Sequence, residues 1–202
     1  MPYFQCFYKL AILSSLLVSC GNNAQDSAVS PYAMEIHLQR AAKDERMVSD
    51  RVIEQNNAAD FKGLKYYEPD SIYRIKAEIE WLNGDSVVFQ TNSERSPVYF
   101  KLFAVTFKIA DSACRLTVYS EDRDGKTGLF IPFRDKTNTS ETYGGGRYIE
   151  MPYSGEKEYL VIDFNKAFNP YCHYNHGYSC PVVPVENVLH VPIPAGEKKL
   201  YD

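Results

Sequence analysis

The stretch "YRIKAEIEWLNG", residues 73–84, decides the predicted fold. Its apolar side chains recur at every second position, namely Tyr73, Ile75, Ala77, Ile79 and Trp81, and charged residues occupy the positions between them, namely Arg74, Lys76, Glu78 and Glu80. A period of two predicts a half-buried antiparallel strand. The Asn83-Gly84 pair that follows predicts a hairpin turn into the next strand.

Seven further strand-like runs follow, at Ser86–Thr91, Pro97–Ala110, Ala113–Glu121, Leu129–Phe133, Tyr148–Met151, Tyr159–Phe164 and Val188–Ile193. Turn-forming Asp-Gly, Asn-Gly and Pro positions separate them, and no second helical pattern is evident. Together they predict an all-β fold, an antiparallel β-sandwich or barrel. The run from Val98 to Ile109 is almost continuously apolar, which indicates a central strand covered on both faces.

One helix is predicted before the sheet. Residues 32–53 lack glycine and proline, and place Ile36, Arg40 or Ala41, Lys43 and Met47 at near-helical spacing. The apolar stripe is thin, so we expect a surface helix. This helix and its connection occupy residues 32–60, ahead of a β domain at 61–202.

The amino terminus resembles that of an exported lipoprotein. Leu10–Val18 is apolar and follows Lys9, but it is too short to span a bilayer and reads as the core of a signal peptide at 1–19. Leu17-Val18-Ser19-Cys20 resembles a bacterial lipobox, which implies that Cys20 is lipidated and that residues 20–31 form a tether. We expect an anchor in the bilayer of a bacterial cell envelope, on the periplasmic or outer-membrane face. A plain secretory signal or a buried N-terminal strand are the alternatives.

The composition narrows the class of partner. The net charge is −4, and Lys and Arg are not clustered anywhere, which argues against nucleic-acid binding. Aromatic residues are plentiful, with 16 Tyr and 11 Phe, so tyrosines could form the walls of a ligand site or simply fill a thin core.

The segment "DFNKAFNPYCHYNHGYSC", residues 163–180, is dense in polar and sulfur-containing side chains. A metal site built from Cys172, His173, His176 and Cys180 has an unusual spacing, so neither metal nor cofactor is predicted. A Cys172–His173 nucleophile pair is disfavoured because the two residues are adjacent. A disulfide between Cys172 and Cys180 suits an exported protein and would contribute roughly 2.5 kcal/mol, although two buried free thiols are the alternative.

Three motifs carry a resemblance to a known family: "ETYGGGRYIEM" at 141–151, "DFNKAFNPYCHYNHGYSCPVVPVEN" at 163–187 and "AGEK" at 195–198. From about Phe61 onward the chain is similar to the bacterial domain-of-unknown-function family DUF1684. The resemblance implies a shared fold and polar constellation rather than a reaction. The matching positions are Asp163, Phe164, Asn165, Asn169, Pro170, Cys172, Cys180, Pro181, Pro184, Glu186 and Asn187; His173 and His176 lie outside the pattern.

Two interpretations of this constellation are open. In the first, the Asn165, Asn169 and Asn187 amides satisfy backbone groups in turns and have no chemical role. In the second, the Gly144–Gly146 backbone and the Arg147 guanidinium form an anion site. The residues of this candidate ligand pocket are Tyr143, Gly145, Arg147, Asp163, Asn165, Asn169 and Asn187.

The favoured function is an envelope-anchored protein that binds a small polar or anionic ligand or a peptide. The first alternative is a hydrolase that uses Asp163, Glu141 or Cys172, with Arg147 stabilising charge. The second is a purely structural envelope protein.

Overall fold

The computed structural model describes residues 29–54, 59–153, 155 and 158–200. The predicted signal peptide, Cys20 and most of the predicted tether lie outside these residues. The described residues form one α-helix and seven strands. The elements are α1 (Pro31–Ser49), β1 (Arg74–Trp81), β2 (Ser86–Val88), β3 (Val98–Ile109), β4 (Ser112–Ser120), β5 (Leu129–Phe133), β6 (Arg147–Met151) and β7 (Tyr159–Asp163).

The strands form a single antiparallel sheet. Their order is β6-β5-β4-β3-β1-β7, and β2 pairs with β3 beside β1. The sheet curls into a half-barrel, and α1 is its one helix near the amino terminus. The predicted all-β class with an N-terminal helix is confirmed.

The hairpin predicted at Asn83-Gly84 is absent, which is a correction to the sequence analysis. β1 and β2 both pair antiparallel with β3, so they run in the same direction along one of its edges. Between them the chain stays beside β3, because Leu82 N–H donates to the Leu102 carbonyl at 3.2 Å and Lys101 N–H donates to the Asp85 carbonyl at 3.0 Å. The Asn-Gly pair therefore interrupts a strand instead of reversing it.

The burial of β1 and β3 follows the predicted patterns. In β1, Ala77 is buried and Ile75 and Ile79 are half-buried, whereas the charged residues between them are exposed. Trp81, predicted on the same face as Ala77, is 52% exposed and departs from the pattern. Residues 102–105 of β3 are all buried, which confirms that this strand is covered on both faces. Phe103, Leu116, Ile131, Ile162 and Phe164 belong to the main core inside the curl. A second cluster contains Phe89, Tyr99, Tyr119, Phe130, Tyr148 and Val183.

The prediction of an eighth strand at Val188–Ile193 is wrong. Val188 forms a single parallel bridge to Arg134, and Leu189 N–H donates to the Arg134 carbonyl at 2.7 Å. Pro192 lacks an N–H group, so the run cannot continue a regular ladder. It instead lies beside the segment that follows β5, where Lys136 N–H donates to the Val191 carbonyl at 3.1 Å.

The helix α1 begins at Pro31 and is capped by Ser30, whose hydroxyl oxygen accepts a hydrogen bond from the Ala33 N–H at 3.1 Å. It ends at Ser49, four residues before the predicted end, and Arg51 adopts a left-handed φ of 56°. Its buried residues are Ile36, Arg40 and Met47. Within the described ranges, no helix combines the length and apolar character that crossing a bilayer requires.

Candidate functional site

Arg147 is the first residue of β6, and its side chain is 0% exposed. Its Nη2 atom lies 2.8 Å from Asp135 Oδ2 and donates to the Ile193 carbonyl at 2.9 Å, while Nη1 donates to the Ala195 carbonyl. The guanidinium therefore binds the chain itself. This placement corrects the prediction that Arg147 serves as a ligand's anion contact or as the charge-stabilising group of a hydrolase.

The three glycines before Arg147 form a tight turn. Gly146 N–H donates to the Tyr143 carbonyl at 3.1 Å, and its φ of +99° is unfavourable for other residues. A Cβ atom there would lie 2.7 Å from the Phe133 carbonyl oxygen. The structure therefore supports the turn interpretation of this segment. The centres of the Tyr143 and His173 rings are 4.6 Å apart, and burial, followed by the nearby Cys172, raises the pKa of Tyr143.

Asp163 and Asn165 meet the first turn of α1. The Tyr32 hydroxyl donates to both Asp163 carboxylate oxygens, at 2.9 and 3.0 Å, and accepts from Asn165 Nδ2 at 2.8 Å. Burial, followed by the adjacent carboxylate, raises the pKa of Tyr32, so its hydroxyl stays a donor. These contacts fasten the helix to the end of β7.

All three signature amides bind main-chain groups, as the first interpretation predicted. Asn165 accepts from Asp70 N–H at 2.9 Å and donates to the Asp70 carbonyl at 2.7 Å. Asn169 donates to the Lys198 carbonyl at 2.9 Å. Asn187 accepts from Thr117 N–H at 2.7 Å and donates to the Thr117 and Pro132 carbonyls at 2.9 and 2.7 Å. Asn169 and Asn187 are 0% exposed, so neither lines an open pocket. This corrects the prediction that both belong to a ligand pocket.

Two buried carboxylates of this network were missed in the sequence analysis. Asp135 accepts from Arg147, and Glu197 accepts from Lys43 Nζ at 2.8 Å and from Asn169 N–H at 3.0 Å. Glu197 belongs to the "AGEK" motif, which was the available signal for it. Asp135 had no comparable signal, because its partner lies on another strand.

A cavity of about 280 Å³ lies between α1 and residues 165–171, and we name it the α1 groove. Its lining consists of Ile36, Gln39, Arg40, Lys43, Arg46, Tyr66, Glu150, Asn165, Lys166, Ala167, Phe168 and Tyr171. Three cations stand on α1 at a spacing of three residues, which places them along one side of the helix. Lys166 faces them from the opposite wall. Asn165 is the member of the predicted pocket that reaches this cavity.

Two polar groups of the α1 groove have unused donor capacity. Arg40 donates to the Tyr67 carbonyl at 2.8 Å and to the Asn165 carbonyl at 3.4 Å, but its Nε has no partner within the described part of the chain. The Tyr66 hydroxyl has none there either, and the Arg40 guanidinium lies 4.4 Å from the centre of its ring. Buried donors without partners are uncommon, so a ligand acceptor could satisfy them.

The charges of the α1 groove favour an anion. Among the described lining residues, four cations face one carboxylate, that of Glu150. Desolvation raises the pKa of Glu150, and Glu121 adds to this effect. Behind the lining, Lys43 is paired with Glu197, and Lys166 lies 3.6 Å from Glu35. The remaining positive charge is therefore that of Arg40 and of Arg46 at the exposed side.

A second cavity of about 510 Å³ has the opposite character. Tyr99, Glu121, Thr127 and Glu150 contribute its polar side chains, and Tyr99 donates to Glu121 at 3.4 Å. No basic residue lines it in the described part of the chain. It is therefore unsuited to an anion, and it contains none of the residues predicted for a hydrolase.

Cys172 and Cys180 are free thiols in this structure, as is Cys114. The Cys172 N–H donates to Cys180 Sγ at 3.2 Å. The pKa of Cys172 is raised, chiefly by its hydrogen bond to Cys180 and by burial. Burial lowers the pKa of His173 to about 4, and its Nε2 accepts from Leu200 N–H at 3.2 Å. Neither residue has the activated form that a Cys172–His173 nucleophile pair requires.

Sequence comparison assigns most of the chain to one family. The family model described as a protein of unknown function, DUF1684, matches residues 59–198. The chain belongs to the DUF1684 family. It is also similar to an uncharacterized protein of Haloarcula marismortui whose solution NMR structure is known, with 30% identity and a TM-score of 0.66. That match covers 83% of this chain and 94% of the other. No curated protein matches the chain.

Several polar residues of the DUF1684 motifs thus have an architectural role in this member. Asp163 and Asn165 hold α1, Asn187 joins β4 to β5, and Glu197 connects the C-terminal segment to α1. Among the described residues, no group of three or more His, Cys, Asp or Glu side chains is placed to hold a metal ion. The α1 groove is the site that these contacts build.

Proposed function

We propose that this DUF1684 protein binds a small organic anion in the α1 groove while a lipid on Cys20 holds it in the cell envelope. The observation that carries the binding proposal is the positive charge of Arg40 and Arg46 at one cavity. Lys43 and Lys166 at the same cavity are paired with Glu197 and Glu35, and Glu150 is the single carboxylate among the described lining residues. A chain with a net charge of −4 has no general surplus of positive charge, so this local excess is a property of the site.

The walls of the α1 groove suggest a ligand with both a charged and an apolar part. Arg40 Nε and the Tyr66 hydroxyl are buried donors without a partner in the described part of the chain, and a small movement of these side chains would let them donate to a carboxylate or phosphate oxygen. Phe168 and Tyr171 line the same cavity, and Lys43 Nζ lies 4.7 Å from the centre of the Phe168 ring. A volume of about 280 Å³ suits a small molecule or one peptide side chain with its carboxylate.

The anchoring proposal rests on the sequence. Leu17-Val18-Ser19-Cys20 has the lipobox form, and α1 begins at Pro31, directly after the proposed tether. An acylated Cys20 would therefore hold the α1 groove close to the bilayer surface. Mass spectrometry of the native protein tests this part. We expect a chain that begins at a lipid-modified Cys20, and an intact leader with an unmodified thiol would contradict it.

Binding is tested with inorganic phosphate, pyrophosphate and succinate as probes, by NMR titration of the labelled protein. We expect saturable shifts at residues of the α1 groove, strongest for the probes with two anionic groups. Arg46→Gln and Lys166→Gln remove one exposed charge each without touching the core, and each should weaken binding about threefold to tenfold.

Lys126→Gln is the matched control, because Lys126 is exposed and pairs with Asp124 outside the α1 groove. It should leave the affinity unchanged. Equal affinity in all three variants, or no saturable shift with any probe, would contradict the proposed site and would favour a purely structural envelope role.

A further inference from the structure

We propose that Cys172 and Cys180 form a site of reversible oxidation, at which a small peroxide converts the two thiols into a disulfide. This site lies outside the α1 groove and does not depend on the function proposed for it. Cys180 is the sulfur that reacts first, and Cys172 is the sulfur that completes the bond.

The two sulfurs are held together by the main chain around them. Cys172 lies in a short 3₁₀ turn, residues 171–173, and its N–H donates to Cys180 Sγ at 3.2 Å. Cys180 N–H donates in turn to Asn92 Oδ1 at 2.7 Å, and Pro181 bridges to Thr91. Both ends of the 172–180 loop are therefore fixed, and the Cys180 sulfur lies against the main chain of Cys172.

The same contacts make the two thiols unequal. Hydrogen bonds from the Cys172 thiol, and to a smaller extent from main-chain N–H groups, lower the pKa of Cys180. The pKa of Cys172 is raised, so Cys172 keeps its proton as the donor. The hydrogen bond that Cys180 Sγ accepts from the Cys172 N–H favours the thiolate of Cys180, the form that attacks an oxidant.

Exposure selects the size of the oxidant. Cys180 is 8% exposed, whereas Cys172 is half-buried. A sulfur this enclosed can meet hydrogen peroxide, but a bulky aromatic disulfide cannot align with it. Cys114 offers no such reaction, because burial raises its pKa and it lies in β4 away from the pair.

The chemistry balances in two steps. The Cys180 thiolate attacks one peroxide oxygen, the O–O bond breaks, and the departing hydroxide takes a proton to become water, leaving a sulfenic acid. Cys172 then attacks this sulfur, the S–O bond breaks, and the hydroxide leaves as a second water with the Cys172 proton. The sulfurs lose two electrons and the peroxide gains them. A dithiol reductant restores both thiols and is itself oxidised to a disulfide.

The test begins with the fully reduced protein and about one equivalent of hydrogen peroxide, followed by alkylation and peptide mass spectrometry. We expect a Cys172–Cys180 disulfide in the wild type and in the matched control Cys114→Ser. Cys172→Ser should stop at a sulfenic acid on residue 180 that dimedone traps, and Cys180→Ser should give no trapped adduct. A disulfide absent from the folded wild type, or equal trapping at residue 172 in Cys180→Ser, would overturn the proposal.

A second measurement needs no variant. In the wild type, alkylation by iodoacetamide should modify Cys180 before Cys172, with a pH midpoint below that of the denatured protein. Denaturant should abolish this preference, since both thiols then have a pKa near 8.5. Preferential modification of Cys172 in the folded protein would also contradict the assignment.

Discussion

Lys43 Nζ on α1 lies 2.8 Å from Glu197 Oε2, near the end of the described chain, although 154 residues separate the two. Glu197 is 0% exposed and also accepts from Asn169 N–H and the Tyr174 hydroxyl. Burial raises the pKa of Tyr174, so its hydroxyl remains a donor. Lys43 also lines the α1 groove, so this pair connects the stability of the fold to the geometry of the site.

Glu197→Gln should lower the free energy of unfolding by about 3 kcal/mol, because it leaves the Lys43 ammonium without its counter-charge in a largely buried place. Urea denaturation measures the change. Glu68→Gln removes a carboxylate that is 92% exposed and should cost less than about 0.5 kcal/mol. Equal losses in the two variants would show that the Lys43–Glu197 pair contributes nothing.

Arg147→Met should destabilise the protein by at least about 3 kcal/mol, since it leaves the buried Asp135 carboxylate unpaired. Arg147→Lys should recover part of this loss, because one ammonium cannot reach Asp135 and both main-chain carbonyls at once. The exposed pair Arg115 and Glu80 supplies the control, and Arg115→Lys should change the unfolding free energy by less than about 0.5 kcal/mol. If Arg147→Lys restored the full free energy of unfolding, simultaneous binding of Asp135 and the main-chain carbonyls by the guanidinium would not be what stabilises the fold.

Gly196→Ala and Gly84→Ala separate backbone strain from steric clash. Both glycines have a positive φ, +76° and +70°. A Cβ at position 196 would lie 2.6 Å from the Phe164 carbonyl oxygen, whereas nothing lies within 4 Å at position 84. We expect Gly84→Ala to cost about 1 kcal/mol, and Gly196→Ala distinctly more, in thermal unfolding. Similar losses would mean that the C-terminal segment shifts freely.

Asn187→Asp should destabilise the fold by about 2 kcal/mol. The buried amide donates to two carbonyl oxygens, and a carboxylate would place its own oxygen against them. Asn175→Asp is the matched control, because the carboxylate keeps the acceptor for Gly177 N–H and loses a single 3.4 Å bond to Arg51. Chemical denaturation of both variants decides whether the 187 amide joins β4 to β5.

His173 should make the protein less stable in mild acid. Burial lowers its folded-state pKa to about 4, below its unfolded value of about 6.5, so the unfolded state binds the extra proton between these values. This contribution is fully present above pH 6.5 and is lost as the pH falls toward 4. His173→Gln should flatten the stability profile in that window, and His37→Gln, at an exposed helix position, should not. An unchanged slope in His173→Gln would refute this origin.

Local patterns were sufficient to predict much of the fold. The period of two in Tyr73–Trp81 predicted β1, the apolar run of residues 98–109 predicted a doubly covered β3, and the residues after Ser30 predicted α1. Each of these signals depends on side chains a few positions apart, which sequence displays directly. The asparagines were predicted to bind main-chain groups, but the partners of Asn165, Asn169 and Asn187 lie 95, 29 and 70 residues away, and local patterns did not show which groups these are.

Distant pairing decided the rest. Asn83-Gly84 has the chemistry of a hairpin turn, yet β3 is long enough to pair with both β1 and β2, so the chain continues past the pair. Arg147 has the chemistry of an anion-binding residue, yet its guanidinium is paired with Asp135. Arg147 and Asp135 are 12 residues apart, and Lys43 and Glu197 are 154 residues apart. A periodicity of two or four residues carries no information about such pairs. The amino acids determined which elements form, and the curled sheet determined which charges became structural and which face the α1 groove.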